Sequence, residues 1–348
     1  VSDFAQTGLI CTLQRLNDSH LETIERDLAE FARERPIALV LPCHGADLEQ
    51  PALRHLIGEL SGARWIHEVV VSFNGVDAAG LARAEALFAE LPMRRTFLWN
   101  DRPGSPTDRL GGKGGNVQVA FRHLVAEGAC AIVATQDCDV ASFRRRDLAR
   151  LCFALAHPQL GYRFAKMYYS RVTDRLYGRV SRLFLAPLLH ALVRVAGHQP
   201  LLDFLLSFRY PLAGEVALTL ELAATLPVSG GWGLEIGQLC EVFRRVDPRE
   251  VCQVDGGPGY DHKHQPAAPS LSAMAAEIAN ELFAQLHTEG LPNDATFRAT
   301  IATAYRREAT QALRRSADLA RINALAFDES AEQAIVETFA ARLAESGH

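Results

Sequence analysis

Two carboxylates one residue apart, Asp137-Cys138-Asp139, follow the apolar run Ala131 to Thr135. If that run is a strand of a parallel sheet, both carboxylates stand at its carboxyl end. There they can hold a hard divalent ion against a diphosphate and offset the charge that builds on a leaving group. The competing reading is a solvated turn whose aspartate caps a helix. Just upstream, Gly111-Gly112-Lys113-Gly114-Gly115-Asn116 opens a helical stretch. Glycines let backbone amides approach phosphate, a helix start favours anions, and Lys113 adds a point charge. Neither the Walker A pattern nor GxGxxG fits this spacing, and a flexible glycine turn is the alternative.

Further along, Gly230-Gly231-Trp232-Gly233-Leu234-Glu235-Ile236-Gly237 places a carboxylate at the start of a helical run, behind an aromatic able to stack on a sugar or base. Glu235 could equally serve only to complement the helix dipole. Tyr260-Asp261-His262-Lys263-His264-Gln265 gathers imidazole, carboxylate and amine in one short loop, which suits either a metal's third ligand or a solvated polar surface. Arg171, Arg175, Arg179 and Arg182 follow one another at helical spacing. On one helix they would form a stripe for a phosphate or carboxylate, or a solvent-facing surface.

The elements that must position these residues are readable from periodicity. A lead-in helix is predicted over residues 18–34, stopped by Pro36. Strands are predicted at Ile37 to Leu41, Glu68 to Phe73, Arg95 to Leu98 and Ala131 to Thr135, with helices at Ala52 to Leu60, Ala78 to Leu91 and Gly115 to Glu127 between them. This alternation gives an α/β, doubly wound, mainly parallel sheet. A helix at Arg145 to Ala156, an extended piece at Tyr162 to Tyr169 and a long helix at Thr173 to Val195 follow, then loop-rich sequence. From Leu271 onward the apolar spacing is helical, with a linker-like point near residue 268. The expected division is a helical lead-in (1–36), a catalytic domain with a nucleotide-sugar half (37–140) and an acceptor half (141–268), and a C-terminal helical region (269–348). The C-terminal helices are expected to serve packing or dimerisation, a homodimer being anticipated, rather than chemistry.

Composition narrows the partners. The 348 residues carry a formal net charge of −5 and are 48% hydrophobic, with a pI near 6.2. Broad binding to nucleic acid or to an anionic membrane surface is excluded by that balance, so any anion site must be local. Seven cysteines without a CxxC pair suit reduced thiols and a cytoplasmic location. The most apolar stretch, Leu183 to Val193, is too short to span a bilayer.

Taken in order, the GGKGGN loop, the DCD triplet, Phe208 to Ala217 (FRYPLAGEVA), GWGLEIG and YDHKHQ resemble the glucosyl-3-phosphoglycerate synthases and the related mannosyl-3-phosphoglycerate synthases, over about residues 37–285. These are retaining glycosyltransferases of the GT-A fold. The resemblance implies transfer of glucose or mannose from a UDP- or GDP-sugar to a small anionic acceptor, with Mg²⁺ or Mn²⁺ as cofactor. It places Pro42, Cys43, Ser72 and Asn74 at the nucleoside, and Lys113, Asp137, Cys138 and Asp139 at the diphosphate. Asp139 and His262 would bind the metal; Leu212, Gly214, Trp232 and Glu235 would meet the sugar. Gly178, Arg179 and Ser181, with Lys263 and His264, would hold the acceptor. Lys113, Asp139 and Glu235 are the catalytic candidates. The segment Val71-Ser72-Phe73-Asn74-Gly75 departs from the family's aspartate-serine-glycine turn, and Cys138 replaces the more common serine. The rival readings are an inverting transferase acting on a glycan or lipid, and a nucleotide-sugar-binding protein without turnover.

Overall fold

The computed structural model describes residues 6, 8–17, 21–102, 111–260 and 268–345. Among them the strands are β1 (Cys11–Leu13), β2 (Ile37–His44), β3 (Ile66–Asn74), β4 (Arg94–Trp99), β5 (Ile132–Thr135), β6 (Phe164–Ser170), β7 (Val216–Thr219) and β8 (Val251–Pro258). They form one sheet in the order β1-β8-β6-β7-β5-β2-β3-β4, parallel throughout except for β7, which runs against both β5 and β6. Helices α1 (Leu21–Phe31), α2 (Pro51–Leu60), α3 (Ala78–Leu87), α4 (Gly112–Glu127) and α5 (Arg145–Ala156) alternate with the first strands. After β6 come α6 (Ala186–Ala196), α7 (Pro200–Leu206), α8 (Leu220–Thr225), α9 (Leu234–Arg245), α10 (Ala268–Thr288), α11 (Ala295–Ile322) and α12 (Glu329–Glu345).

The inner strands β2, β3, β5 and β6 are buried on both faces, as parallel strands covered by helices must be, while the edge strand β4 is partly exposed. Along β2 the side chains alternate: Ala38 and Val40 enter one core, while Ile37, Leu39, Leu41 and Cys43 enter the other. Helices α1, α2, α3 and α5 cover the second core; α4 and α6–α12 cover the first. The region 269–348 is helical in its described part, and Leu282, Ile301, Tyr305 and Phe339 share one core with Leu183 and Leu188. The Tyr305 hydroxyl donates to the Leu183 carbonyl at 2.6 Å, so this buried phenol satisfies its polar end.

Three expectations are corrected. Residues 1–36 are not wholly a helical lead-in, because Cys11–Leu13 pairs in parallel with β8 and closes the sheet edge. Loop-rich sequence after residue 195 in fact contains α7, α8, α9 and two strands; β7 and β8 are four and eight residues long, and the four-residue β7 is too short for its alternation to register. The helix expected from Thr173 begins only with a π-helical turn at Val180–Leu185. Gly178 has φ +68°, a left-handed backbone that no helix continues through. Residues 171–177 instead fold back on themselves, with the Tyr177 N–H donating to the Arg171 carbonyl at 2.9 Å. The four arginines therefore do not share a helix face.

No helix among the described residues is long and apolar enough to cross a membrane. All seven cysteines are free, six of them buried.

Candidate active site

Parallel strands release their carboxyl ends on one side, and that side carries a cavity of about 770 Å³. Pro42, Cys43 and His44 reach it from the end of β2, Asn74 from β3, and Asp137, Cys138 and Asp139 from the segment after β5. Because β7 is antiparallel to β5, the loop that precedes it, Leu212 to Glu215, arrives at the same edge. Leu212 lines the cavity. The start of α4 contributes Lys113, the turn before α9 contributes Trp232, and α9 itself contributes Glu235.

Lys113 is the hinge of the constellation. Its Nζ stands 2.7 Å from Asp137 Oδ1 and 2.9 Å from Glu235 Oε1. Burial alone would pull the ammonium's pKa down, but the two carboxylates outweigh it and hold the value well above the ordinary one. Lys113 is thus a fixed positive charge. Gly214 allows this packing: a Cβ there would lie 2.4 Å from Lys113 Nζ and 2.7 Å from Asp137 Oδ2. The glycine is suspended by a bond from Thr135 Oγ1 to its carbonyl at 2.7 Å, and the preceding Ala213 carbonyl accepts from Lys166 Nζ at 2.6 Å. Lys166 is fully buried, and burial lowers its pKa to about 8 against the pull of Glu235 and Glu215.

Several asparagines shape the cavity wall beside the ends of β2, β3 and β4. Asn116, buried on α4, donates to Asn74 Oδ1 at 2.9 Å and to the Cys43 carbonyl at 3.3 Å, and accepts from Asn100 Nδ2 at 2.6 Å. Ser72, expected at the nucleoside, does not face the cavity. It is fully buried and accepts from Asn100 Nδ2 at 2.8 Å: it shares a face of β3 with Asn74 but lies one pleat deeper, so Asn74, at the strand end, is the one that reaches the cavity. Asn116→Leu is expected to remove one hydrogen bond each from Asn74, Asn100 and the Cys43 carbonyl. A loss of about 1–3 kcal/mol in thermal unfolding should accompany a donor KM raised about tenfold with an unchanged acceptor KM.

Gly178, Arg179 and Ser181 line the same cavity, with Arg171, Arg175, Tyr177 and Tyr210. Arg171 Nε is buried without a hydrogen-bond partner, a donor that an anion in the cavity would satisfy. Sequence reasoning placed Arg171 and Arg175 on a helix face; the fold-back at 171–177 is what delivers them. It missed Tyr169, Tyr210, Asp47 and His44, and also Leu271, Met274, Glu277 and Ile278 of α10, whose spacing spoke only of packing. Glu277 Oε2 accepts from the Trp232 N–H at 3.0 Å, fixing the glycine-rich turn. His262, Lys263 and His264 lie outside the described residues.

The donor set suits a hard cation. Asp137 and Asp139 offer oxygen ligands at the strand end, the chemistry Mg²⁺ and Mn²⁺ prefer. No third histidine, cysteine or carboxylate joins them among the described residues.

No family model matches the chain. It is 34% identical, over 97% of its length and 88% of the relative's, to a glucosyl-3-phosphoglycerate synthase of Persephonella marina. The chain belongs to the glucosyl-3-phosphoglycerate synthase family. It is a glycosyltransferase with the α/β architecture of that family. Its fold matches the crystal structure of glucosyl-3-phosphoglycerate synthase from Mycobacterium tuberculosis in complex with Mn²⁺, UDP-glucose and phosphoglyceric acid, at a TM-score of 0.63 and 24% identity, over 82% of this chain and 89% of that one. A structure of the same mycobacterial synthase with Mg²⁺ and UDP matches at 25% identity and a TM-score of 0.63, over 82% and 89% of the two chains.

Proposed function

We propose that the chain transfers glucose from UDP-glucose to 3-phosphoglycerate, with retention at the anomeric carbon and with Mg²⁺ or Mn²⁺. The observation that supports this best is that one cavity is lined both by the Asp137–Lys113–Glu235 cluster and by Arg171 and Arg179. A diphosphate and an anionic acceptor are both satisfied by such a charge arrangement. The metal, when bound, supplies positive charge beside the diphosphate leaving group. Asp139 and Asp137 are the described residues that would hold it, with His262 as the further ligand.

Lys113 keeps its proton and faces the leaving oxygens, which is electrostatic rather than acid-base assistance. Glu235, held by Lys113, orients the sugar hydroxyls with Leu212 and the Gly214 backbone. Asn74 and the Cys43 carbonyl, fixed by Asn116, contact the base, and Trp232 covers the sugar. Arg179, Gly178 and Ser181 take the acceptor's anionic end, with Lys263 and His264 joining them. A cytoplasmic location accords with the free cysteines, and a homodimer with the exposed Leu319 and Ile322 on α11; sedimentation velocity reports the latter.

The test is kinetic. A charge-assisted hydrogen bond contributes about 1.5–3 kcal/mol, so Arg179→Ala should raise the acceptor KM by about tenfold or more and leave the donor KM nearly unchanged. Lysine at 179 should restore only part, since it lacks the planar fork. A neutral glycan acceptor outperforming 3-phosphoglycerate in kcat/KM would overturn the reading, as would GDP-mannose outperforming UDP-glucose for the donor half.

A further inference from the structure

Arg179 lines the cavity, yet its Nε points away to the C-terminal helix, donating to Glu332 Oε1 on α12 at 2.9 Å. The second oxygen of that carboxylate accepts from Arg182 Nη2. Arg182 is itself fixed, its Nε donating to the Tyr177 carbonyl at 3.2 Å and its Nη2 to the Leu176 carbonyl at 3.3 Å. Glu332 is only 5% exposed. One buried carboxylate therefore ties together the fold-back carrying Tyr177, the arginine that braces it, and the arginine that faces the ligand. Nε is the donor Arg179 gives up, which leaves the N–H groups of its terminal nitrogens for a phosphate or carboxylate in the cavity that the residue lines.

We infer that Glu332 is a positioning residue of the acceptor site, clamping Arg179 so that its fork meets the acceptor's anionic group, and that α12 is thereby part of that site. The inference rests on the reading of Arg179 as the acceptor's partner. Charge alone argues the other way, since an anion near the acceptor opposes its binding. Geometry decides it. A carboxylate serves two arginines because both its oxygens accept, whereas an amide must turn an N–H₂ group toward one of them.

Two variants separate position from charge. Glu332→Gln keeps the size and removes the charge; Glu332→Asp keeps the charge and withdraws both oxygens by one methylene. Both are expected to raise the acceptor KM about 3- to 10-fold, with donor KM and kcat nearly unchanged. In an Arg179→Ala background neither should raise it further, an outcome that general loosening of α12 would not produce. Thermal unfolding of each variant checks that the protein tested is folded, and Glu332→Asp keeps the test open should the glutamine variant not fold. A lowered acceptor KM in Glu332→Gln would mean that the carboxylate competes with the acceptor, and the clamp would be wrong. An acceptor KM in Glu332→Asp equal to the parent's, or an equal rise in the Arg179→Ala background, would also overturn it. If Arg179→Ala alone leaves the acceptor KM unchanged, the acceptor reading fails and the clamp with it; if only the Glu332 variants are silent, the clamp alone fails.

Discussion

Gly214→Ala is expected to leave a folded protein that turns over about 10²- to 10³-fold more slowly, the loss typical of removing one preorganised electrostatic group. The added Cβ would sit 2.4 Å from Lys113 Nζ and within 3 Å of both Asp137 oxygens (2.7 and 2.9 Å). These atoms are the ends of flexible side chains, so the clash is relieved by moving them rather than by opening the core. What moves is the charge cluster itself. Lys113 would leave at least one of Asp137 and Glu235, and those carboxylates would lose their counter-charge beside the bound diphosphate. Circular dichroism and thermal unfolding should stay close to the parent's while kcat falls. A fall in stability matching the fall in activity would place Gly214 in the core rather than in the site.

Asp139→Ala should cost at least about 10³-fold in kcat/KM, equivalent to about 4 kcal/mol of transition-state stabilisation. The parent protein treated with a chelator should lose activity comparably and regain it on addition of Mg²⁺ or Mn²⁺. In Asp139→Ala, added metal should restore little. The asymmetry with Asp137 is part of the expectation: Asp137 already shares a 2.7 Å contact with Lys113, so Asp137→Ala disturbs the lysine as well as the metal. Full activity of the parent in excess chelator would remove the metal from the mechanism and leave Lys113 as the main described counter-charge beside the diphosphate.

The proposed acceptor region was the less legible part of the site, and the reason is geometric. Arg171, Arg175, Arg179 and Arg182 have helical spacing, and spacing alone cannot reveal that Gly178 adopts a left-handed backbone. Arg175 gives its Nε to Asp174 and Arg182 turns inward to two carbonyls, while Arg171 and Arg179 line the cavity from opposite sides of the Gly178 turn in sequence. Glu332 illustrates a different limit. It stands 153 positions from Arg179 in a helix whose periodicity announces packing, and nothing local marks one of its surface-type residues as buried against two arginines. Asn116 falls between these cases: it closes a glycine-rich motif visible in the sequence, but its role depends on Asn74 and Asn100 arriving from two other strand ends.

The sequence by itself determined the alternation of strands and helices from residue 37 to 156, the carboxyl-end placement of Asp137 and Asp139, and the glycine-lysine loop at the start of α4. These follow from local patterns: short apolar runs, the breaker at Asn74-Gly75, and a 3.6-residue period between strands; Pro42, expected to end its strand, lies inside β2, which continues to His44. Tertiary structure alone decided that β7 runs antiparallel and so brings Leu212 and Gly214 to the edge where β5 ends. It also decided that Lys113 bridges Asp137 and Glu235 across 122 positions, and that α10 and α12 furnish the cavity wall and the brace for Arg179. Strand direction and long-range charge pairing are set by how the buried faces close on one another, a property of the whole chain that no window of sequence contains.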